Sequence, residues 1–233
     1  MAKLKLLPYS EFNPQPIRHR ILRGWLAEMM KPGGSRHVVD WSCGSGIGTE
    51  HLREEQPSWK FTMVDVADIR KTAKDADFHL LDYDTPKLDI PDGSVDAVIS
   101  SEVFEHVHNL TATVREMHRI LKPGGFLVGS IPNFRGWASR FSFLRRGLYR
   151  MGGKFENGGH VNLITPEFLV NFLGEIFVLR RSAGDVDWIT WVDYVPERFT
   201  RRAYQTLKFR GLFRETLGFN RFSYDFLFIF IKK

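Results

Sequence analysis

The 233-residue chain lacks the features that mark several classes of protein. It contains one cysteine, Cys43, which excludes an intrachain disulfide and a cysteine-based zinc site. Its longest apolar runs, near residues 126–131 and 226–231, fall well short of the roughly 20 residues that cross a bilayer. Residues 1–7 show neither a long apolar stretch nor a small-residue cleavage site, which argues against a signal peptide. We therefore expect a cytoplasmic protein.

Charge is distributed unevenly along the chain. Residues 1–133 carry a net charge of −2, whereas residues 134–233 carry +8. Hydrophobic residues make up 43% of the sequence, which is enough for a buried core. Because no internal repeat or low-complexity linker divides the sequence, it predicts one folded domain with a basic C-terminal part.

Strands and helices alternate in the first part of the chain. Short runs rich in β-branched residues predict five strands, at residues 37–41, 60–64, 78–81, 95–100 and 126–131. Helical patterns lie between most of them; one begins near Leu110 and ends at the proline and glycines of segment 122–125. This alternation predicts an α/β fold with a doubly wound, mostly parallel sheet.

Further elements flank this region. An apolar stripe at helical spacing predicts a helix over residues 17–29 that covers the sheet or the pocket. Residues 134–151 form a basic, aromatic pattern typical of a helical insertion. A later helix is predicted to begin after Thr165, an N-cap residue, with Pro166 at its first position. Two more strands are predicted at residues 177–181 and 224–231.

A glycine-rich turn follows the first predicted strand and precedes a helix. Gly44, Gly46 and Gly48 let the backbone bend sharply and approach a ligand closely. Asp65 ends the second strand about 20 residues later, where an acid accepts hydrogen bonds from a ribose diol. These two features predict a nucleoside-containing cofactor, but they suit adenosylmethionine and a nicotinamide equally.

Four stretches resemble a known family in order and spacing. The stretches are Asp40-Trp41-Ser42-Cys43-Gly44-Ser45-Gly46, Pro91-Asp92-Gly93-Ser94-Val95-Asp96, Ser101-Glu102-Val103-Phe104-Glu105-His106-Val107 and Leu121-Lys122-Pro123-Gly124-Gly125-Phe126. They are similar to class I S-adenosylmethionine-dependent methyltransferases, the branch that includes those of quinone biosynthesis. The resemblance implies a Rossmann-like, seven-stranded sheet with helical insertions near the C-terminal half. It also implies S-adenosyl-L-methionine as cofactor and S-adenosyl-L-homocysteine as product.

The resemblance also divides the single domain of residues 1–233. Residues 1–35 would form an N-terminal helical cap, and residues 36–133 the cofactor-binding core. Residues 134–233 would hold the insertions, the final helix and the last strands. A weaker similarity, over residues 160–166, matches the family's segment before its penultimate helix.

The resemblance assigns the methionine end of the cofactor to the first stretch. Asp40 and the backbone of residues 42–46, which include Ser42, Cys43, Gly44 and Gly46, would hold it. Ser42 departs from the family, which usually has glycine there, so we expect a slight shift of the turn. Cys43 is expected to be a small buried side chain and not a nucleophile.

The nucleoside end is assigned to residues that end later strands. Asp65 would bind both ribose hydroxyls, and Val66 would pack on the adenine. Asp82 would hydrogen-bond the adenine amino group, with Asp84 as a rival because the loop length is ambiguous. Ser100 would line the methyl-donor side.

A catalytic base is needed only if the methyl acceptor is a hydroxyl or an acidic C–H, because the donor carbon is already activated. The candidates are His106, His108 and His160, with Glu102 and Glu105, and we favour His106 and His160. His106 follows the fourth strand at the rim where α/β sheets bind ligands, and His160 lies in a glycine-flanked loop. Each also fits a structural role, His106 as a helix-start residue bonded to backbone.

Because the acids and histidines of residues 102–108 crowd one segment and no second cluster shows ligand spacing, we predict no metal site.

The acceptor is the least determined part of the prediction. Segments 134–151 and 198–221 interleave basic and aromatic residues, which fits a solvated helical face, an anionic membrane surface or lipid-linked acceptor, or nucleic acid. Nucleic acid ranks last because no recognisable binding module occupies the remaining length. We expect a small-molecule or lipid-/glycan-linked acceptor, methylated at oxygen.

Two other functions stay open at this point. One is a catalytically silent protein that binds adenosylmethionine. The other is a nicotinamide-dependent oxidoreductase, although its Gly-x-Gly-x-x-Gly pattern is not matched, because Gly44, Gly46 and Gly48 alternate.

Overall fold

Seven strands form one sheet in the computed structural model, which describes residues 17–30, 34–83, 85–134, 140, 143–145, 147, 160–185 and 225–233. In chain order the elements are α1 (Ile17–Met30), β1 (His37–Trp41), α2 (Ile47–Glu55), β2 (Lys60–Asp65), β3 (Asp77–Leu80), β4 (Val95–Ser101), α3 (Leu110–Ile120), β5 (Leu121–Pro132), α4 (Pro166–Leu173), β6 (Phe177–Asp185) and β7 (Asp225–Lys232). The predicted α/β fold with a seven-stranded, mostly parallel sheet is confirmed.

The strand order is β3-β2-β1-β4-β5-β7-β6. Strands β1 to β5 pair in parallel, and β7 runs antiparallel to both β5 and β6. The chain winds outward from β1 through β2 to β3 and then crosses to β4 on the other side of β1. This reversal creates a switch point, where ligands bind beyond the carboxyl ends of the strands in open α/β sheets. The ends of β1 and β4 are therefore the place to look for a site.

Helices cover both faces of the sheet. Val38 and Val39 are neighbours on β1, and both are fully buried, but they belong to different hydrophobic clusters. One cluster joins Val39 to residues of α3 and α4, and the other joins Val38 to Leu22 of α1 and Leu52 of α2. Successive side chains of a strand point to opposite faces, so burial on both faces produces the continuous apolar runs seen in the sequence.

Two helix starts follow from local capping. The Thr165 hydroxyl accepts a hydrogen bond from the Phe168 N–H at 3.2 Å, and Pro166 occupies the first helical position of α4, as predicted. The Asn109 side chain accepts a hydrogen bond from the Ala112 N–H at 3.0 Å and begins α3.

Strand β5 begins earlier than predicted. The breakers of residues 122–125 were expected to separate α3 from a strand that starts at Phe126. Instead Leu121 pairs with Val95, and the next pair is Phe126 with Ala97, so the intervening residues form a bulge within the ladder. The proline and glycines therefore interrupt the register of the strand without ending it.

The basic segments lie largely outside the described residues. All of segment 198–221 does, and so does most of segment 134–151; the rival adenine residue Asp84 is also outside. Over the ranges that the structure describes, no helix combines the length and apolarity needed to cross a bilayer.

Candidate active site

The turn after β1 has a backbone that only particular residues tolerate. Gly44 and Gly46 have φ angles of 55° and 83°, in the left-handed region. A Cβ on Gly46 would lie 2.7 Å from the carbonyl oxygen of Thr72, so even alanine would clash with backbone at this position. At Gly46 the close approach is to the neighbouring loop, whereas nothing lies within 4 Å of a Cβ on Gly44. The predicted approach of these glycines to a ligand stays a prediction.

Ser42 adopts the same left-handed conformation, with a φ of 64°. Its hydroxyl is hydrogen-bonded to the phenol of Tyr83, in the loop after β3. Its backbone N–H donates to the Val64 carbonyl at 2.7 Å, which keeps the turn against β2. The side chain of Ser42, the residue that departs from the expected glycine, therefore connects the turn to the loop that carries Asp82. No local sequence pattern predicts the contact with Tyr83.

Asp65 is fastened to the glycine-rich turn. Its Oδ2 accepts a hydrogen bond from the Gly44 N–H at 2.8 Å, and its Oδ1 accepts one from the Val66 N–H at 2.7 Å. The side chain is almost completely buried. Each carboxylate oxygen can accept a second hydrogen bond, so the group can still bind a diol.

Asp40, at the carboxyl end of β1, lies beside this carboxylate. Burial and the nearby charge of Asp65 raise the pKa of Asp40 to about 6, against the opposing effect of a hydrogen bond from the Thr49 hydroxyl. Two carboxyl groups at one sheet edge create a negative potential, which suits a ligand that carries a sulfonium and an ammonium group. Burial also raises the pKa of the neighbouring Cys43 thiol to about 12, so this cysteine stays protonated and unreactive at neutral pH.

The proposed adenine side is more open. Val66 is 54% exposed and borders a cleft of 920 Å³ that runs along the edge strand β3 past Phe78 and Leu88. Asp82 is exposed at the start of the loop after β3, two residues beyond the end of the strand, where its carboxylate accepts a hydrogen bond from the Thr85 hydroxyl at 2.8 Å. The apolar side chains of this cleft offer a surface to a flat ring, and Asp68, His79, Lys87 and Asp89 line it as well.

Ser100 is fully buried on β4. Its carbonyl oxygen approaches Gly129 of β5 so closely that a Cβ there would lie 1.9 Å from it. The predicted contact of Ser100 with the methyl-donor side remains a prediction.

A strained turn follows β4. Glu102 has a φ of 56°, which is rare for a residue other than glycine. Its N–H donates to the Ser130 carbonyl at 3.0 Å, and its carboxylate accepts a hydrogen bond from the Ser130 hydroxyl at 2.8 Å. Such strain is maintained only where the surroundings fix it, and it is common at functional sites.

Beyond this turn the structure brings together Glu105, His106 and His160. The Glu105 carboxyl group is fully buried, and neither oxygen has a hydrogen-bond partner among the described residues. Burial, followed by the charge of Glu102, raises the pKa of Glu105 well above its usual value. Its Oε1 lies 3.9 Å from His106 Nε2. His108, in contrast, is exposed to solvent.

The two histidine rings meet edge to face. Their centroids are 4.7 Å apart, and Phe134 contacts His160 from another side at 5.8 Å. Burial and the proximity of His106 lower the pKa of His160 below the usual value of 6.5. The Nδ1 atom of His160 is buried without a hydrogen-bond partner among the described residues. His160 is therefore neutral at physiological pH and can accept a proton.

The same three side chains form a set that can hold a metal ion. One potential ligand atom from each of Glu105, His106 and His160 lies within 4.8 Å of the others. The sequence analysis predicts no metal site, because no second cluster with ligand spacing accompanies residues 102–108. That reason is wrong, because the fold supplies His160 as the second element, although the absence of a metal remains a prediction.

Comparison with known proteins identifies the family. A family model described as "Methyltransferase domain" matches residues 9–176. The chain therefore belongs to this methyltransferase family. Membership of this family makes it an S-adenosylmethionine-dependent enzyme, which removes the nicotinamide-dependent alternative.

Individual relatives agree with this assignment. The chain is 31% identical over 166 residues to a demethylmenaquinone methyltransferase of Listeria welshimeri, covering 65% of this chain and 70% of that protein. It is 30% identical over 206 residues to a ubiquinone biosynthesis O-methyltransferase of Paracidovorax citrulli, covering 83% and 80%.

Solved structures share the fold. The PH0226 protein of Pyrococcus horikoshii superposes with a TM-score of 0.59 at 20% identity, covering 98% of this chain and 97% of that one. An S-adenosylmethionine-dependent methyltransferase of Mesorhizobium loti gives 0.57 at 18% identity, covering 90% and 98%.

Proposed function

We propose that this enzyme transfers a methyl group from S-adenosylmethionine to a hydroxyl oxygen of a small or lipid-/glycan-linked acceptor, with a phenolic ring as the preferred group. The observation that carries the proposal is the neutral His160 against His106 and the buried Glu105, beyond the carboxyl end of β4. An oxygen acceptor has to lose a proton, whereas an amine can react without a base. The relative named as an O-methyltransferase supports the same acceptor atom.

The residues at the ends of β1 and β2 fit the cofactor. The turn that contains Ser42, Cys43, Gly44 and Gly46, with Asp40 beside it, would hold the methionine moiety. The fit rests on the left-handed turn and on the negative potential of two neighbouring carboxyl groups.

The nucleoside would be held farther along the same edge. Asp65 has spare acceptor capacity for the ribose hydroxyls, and the exposed Val66 would contact the adenine, with Asp82 accepting from its amino group. Ser100 would lie nearest the methyl group. When bound, the cofactor supplies a methyl group already activated by the sulfonium.

In this proposal His160 accepts the acceptor's proton and His106 holds its ring in place. The buried, neutral Glu105 adds no negative charge beside the two rings that would favour their protonation. The Phe134 ring contributes an apolar contact to the half-buried His160. The chain's contribution is therefore to align the acceptor oxygen and to take up one proton.

A lipid-linked acceptor would bring the enzyme to an anionic membrane surface. Residues 134–233 carry a net charge of +8, and Phe143 and Leu144 are 46% and 83% exposed within this basic region. Exposed apolar side chains among cations favour peripheral membrane binding. Flotation with anionic vesicles tests this point: Leu144→Glu should weaken binding, whereas Leu80→Glu, a change at an exposed leucine on β3, should not.

The activity is tested by release of S-adenosylhomocysteine with a set of probe acceptors. The probes are catechol, a dihydroxybenzene with a short isoprenoid chain, benzylamine and thiophenol. We expect product with the phenols alone and more with the isoprenoid probe. Product with the amine or the thiol but not with the phenols would contradict the proposal, and cofactor binding without any product would favour a catalytically silent protein.

A further inference from the structure

The segment that carries His160 is attached to the turn after β4 through one side chain. Asn162 donates two hydrogen bonds from its Nδ2 atom, to the Phe104 carbonyl at 3.0 Å and to the Val107 carbonyl at 2.6 Å. Because both partners are carbonyl oxygens, which only accept, the amide orientation is fixed by chemistry. Asn162 therefore bridges the two sides of the turn that contains Glu105 and His106.

Backbone groups complete this attachment. The N–H groups of Val161 and Asn162 both donate to the Glu105 carbonyl, at 2.8 and 3.0 Å. Ile164, two residues farther along, is buried in the core, and Thr165 begins α4. The chain on the C-terminal side of His160 is thus fixed to the same turn that presents His106.

These contacts have a direct consequence for the histidine pair. His160 and His106 lie on segments far apart in sequence, yet their rings meet at 4.7 Å. The Asn162 side chain supplies two hydrogen bonds that join the two segments. Its side chain suits this role because a carboxamide can give two N–H donors to two carbonyls, which aspartate, serine and leucine cannot do.

We propose that Asn162 is a positioning residue of the active site, which keeps the segment that carries His160 against the turn that carries His106. It acts through His160 and does not touch the acceptor. This inference rests on the proposed role of His160 for its effect on turnover, but its geometric part can be tested without any acceptor.

The geometric test uses proton NMR of the histidine rings in the full-length protein. A ring that faces another edge to face shifts the resonance of its neighbour, so His160→Ala should move the His106 Cε1–H resonance. Asn162→Asp keeps the size of the side chain but replaces both donors with acceptors, and it should move that resonance in the same direction. Asn171→Asp makes the same change at an exposed position of α4 and should leave it in place.

Asn162→Ala serves as the second variant if Asn162→Asp does not fold, because it removes the donors without adding a charge. Adenosylhomocysteine affinity shows in each case that the cofactor core is intact. A His106 resonance at its wild-type position in the folded variant overturns the inference, whatever happens to turnover.

The catalytic test is a double-mutant cycle. Asn162→Asp should lower kcat about 10- to 100-fold, as expected for a misplaced group, with cofactor affinity unchanged. If Asn162 acts through His160, the double variant with His160→Ala should be no slower than His160→Ala alone. Additive losses would overturn the inference. Wild-type turnover in His160→Ala would instead contradict the proposed base, while the NMR result would still decide the positioning role.

Discussion

The backbone N–H of Gly44 donates a hydrogen bond to Oδ2 of Asp65 at 2.8 Å, so the two sequence motifs of the proposed cofactor site form one unit. The turn after β1 cannot move away from the end of β2 without leaving a buried carboxylate oxygen short of a donor. The spacing between the two motifs therefore reflects a contact as well as the length of one βαβ crossover.

Removing the charge of Asp65 should weaken the cofactor site. We expect Asp65→Asn to lower the affinity for S-adenosylmethionine by about 1–3 kcal/mol, because a charge-assisted acceptor is lost. Titration calorimetry measures the change. Asp75→Asn, which removes an exposed carboxylate paired with Arg53 on the surface, is the matched control and should bind normally. Equal affinities in the two folded variants would remove Asp65 from the site.

The glycine turn should not tolerate a side chain at Gly46. Gly46→Ala combines a left-handed φ with a 2.7 Å approach to the Thr72 carbonyl, so we expect a loss of about 1–3 kcal/mol in unfolding free energy and weaker cofactor binding. Gly24→Ala, within α1, has nothing within 4 Å of the added Cβ and should stabilise the protein by up to about 1 kcal/mol. Chemical denaturation distinguishes them, and similar effects of both changes would contradict this account of the turn.

The raised pKa of Asp40 predicts a pH dependence of stability. The folded-state pKa, about 6, lies above the ordinary 3.8, so the folded protein holds this proton more tightly than the unfolded chain. Stability linked to this group is complete below about pH 3.8 and is lost as the pH rises through 6. Asp40→Asn without cofactor should therefore match the wild type at low pH and gain about 1–3 kcal/mol relative to it above pH 6. A difference that does not change with pH would contradict the assignment.

His160→Ala should lower kcat by about 100- to 10,000-fold and leave cofactor affinity unchanged, since it removes a general base and no cofactor contact. The lowered pKa of His160 keeps its ring neutral down to below pH 6.5, so wild-type kcat should fall only in more acidic solution. His108→Ala removes an exposed histidine near the same turn and should retain full turnover. Loss of activity in His108→Ala alone would reverse the assignment.

Metal dependence distinguishes two uses of the same side chains. With His160 as a base, turnover should survive dialysis against a chelator. Added Zn²⁺ should inhibit, because Glu105, His106 and His160 can surround a cation, and inhibition should weaken in His106→Ala. Activity that disappears on chelation and returns with a divalent ion would show that these residues hold a required metal.

Local signals predicted much of the fold correctly. The bounds of β1 and the start of α4 at Pro166 follow from β-branched runs, a capping threonine and a proline, all of which act within a few residues. The early start of β5 was missed because the pairing of Leu121 with Val95 depends on a neighbouring strand.

The candidate site divides in the same way. The glycine turn and Asp65 can be recognised in the sequence, because the turn directly follows the predicted strand β1 and Asp65 ends the predicted strand β2. The contact of His160 with His106 is not, because a distant segment is brought back by the hydrogen bonds of Asn162. The bond between Ser42 and Tyr83 was missed for the same reason.

The most direct test of the central claim follows the methyl group itself. The purified enzyme is incubated with the isoprenoid dihydroxybenzene and with S-adenosylmethionine whose methyl group is deuterated. The position of the labelled methyl group in the product is then located by NMR. Our account predicts a labelled methoxy group formed in equal amount with S-adenosylhomocysteine. A label on ring carbon, or no transfer by a protein that binds the cofactor, would contradict it.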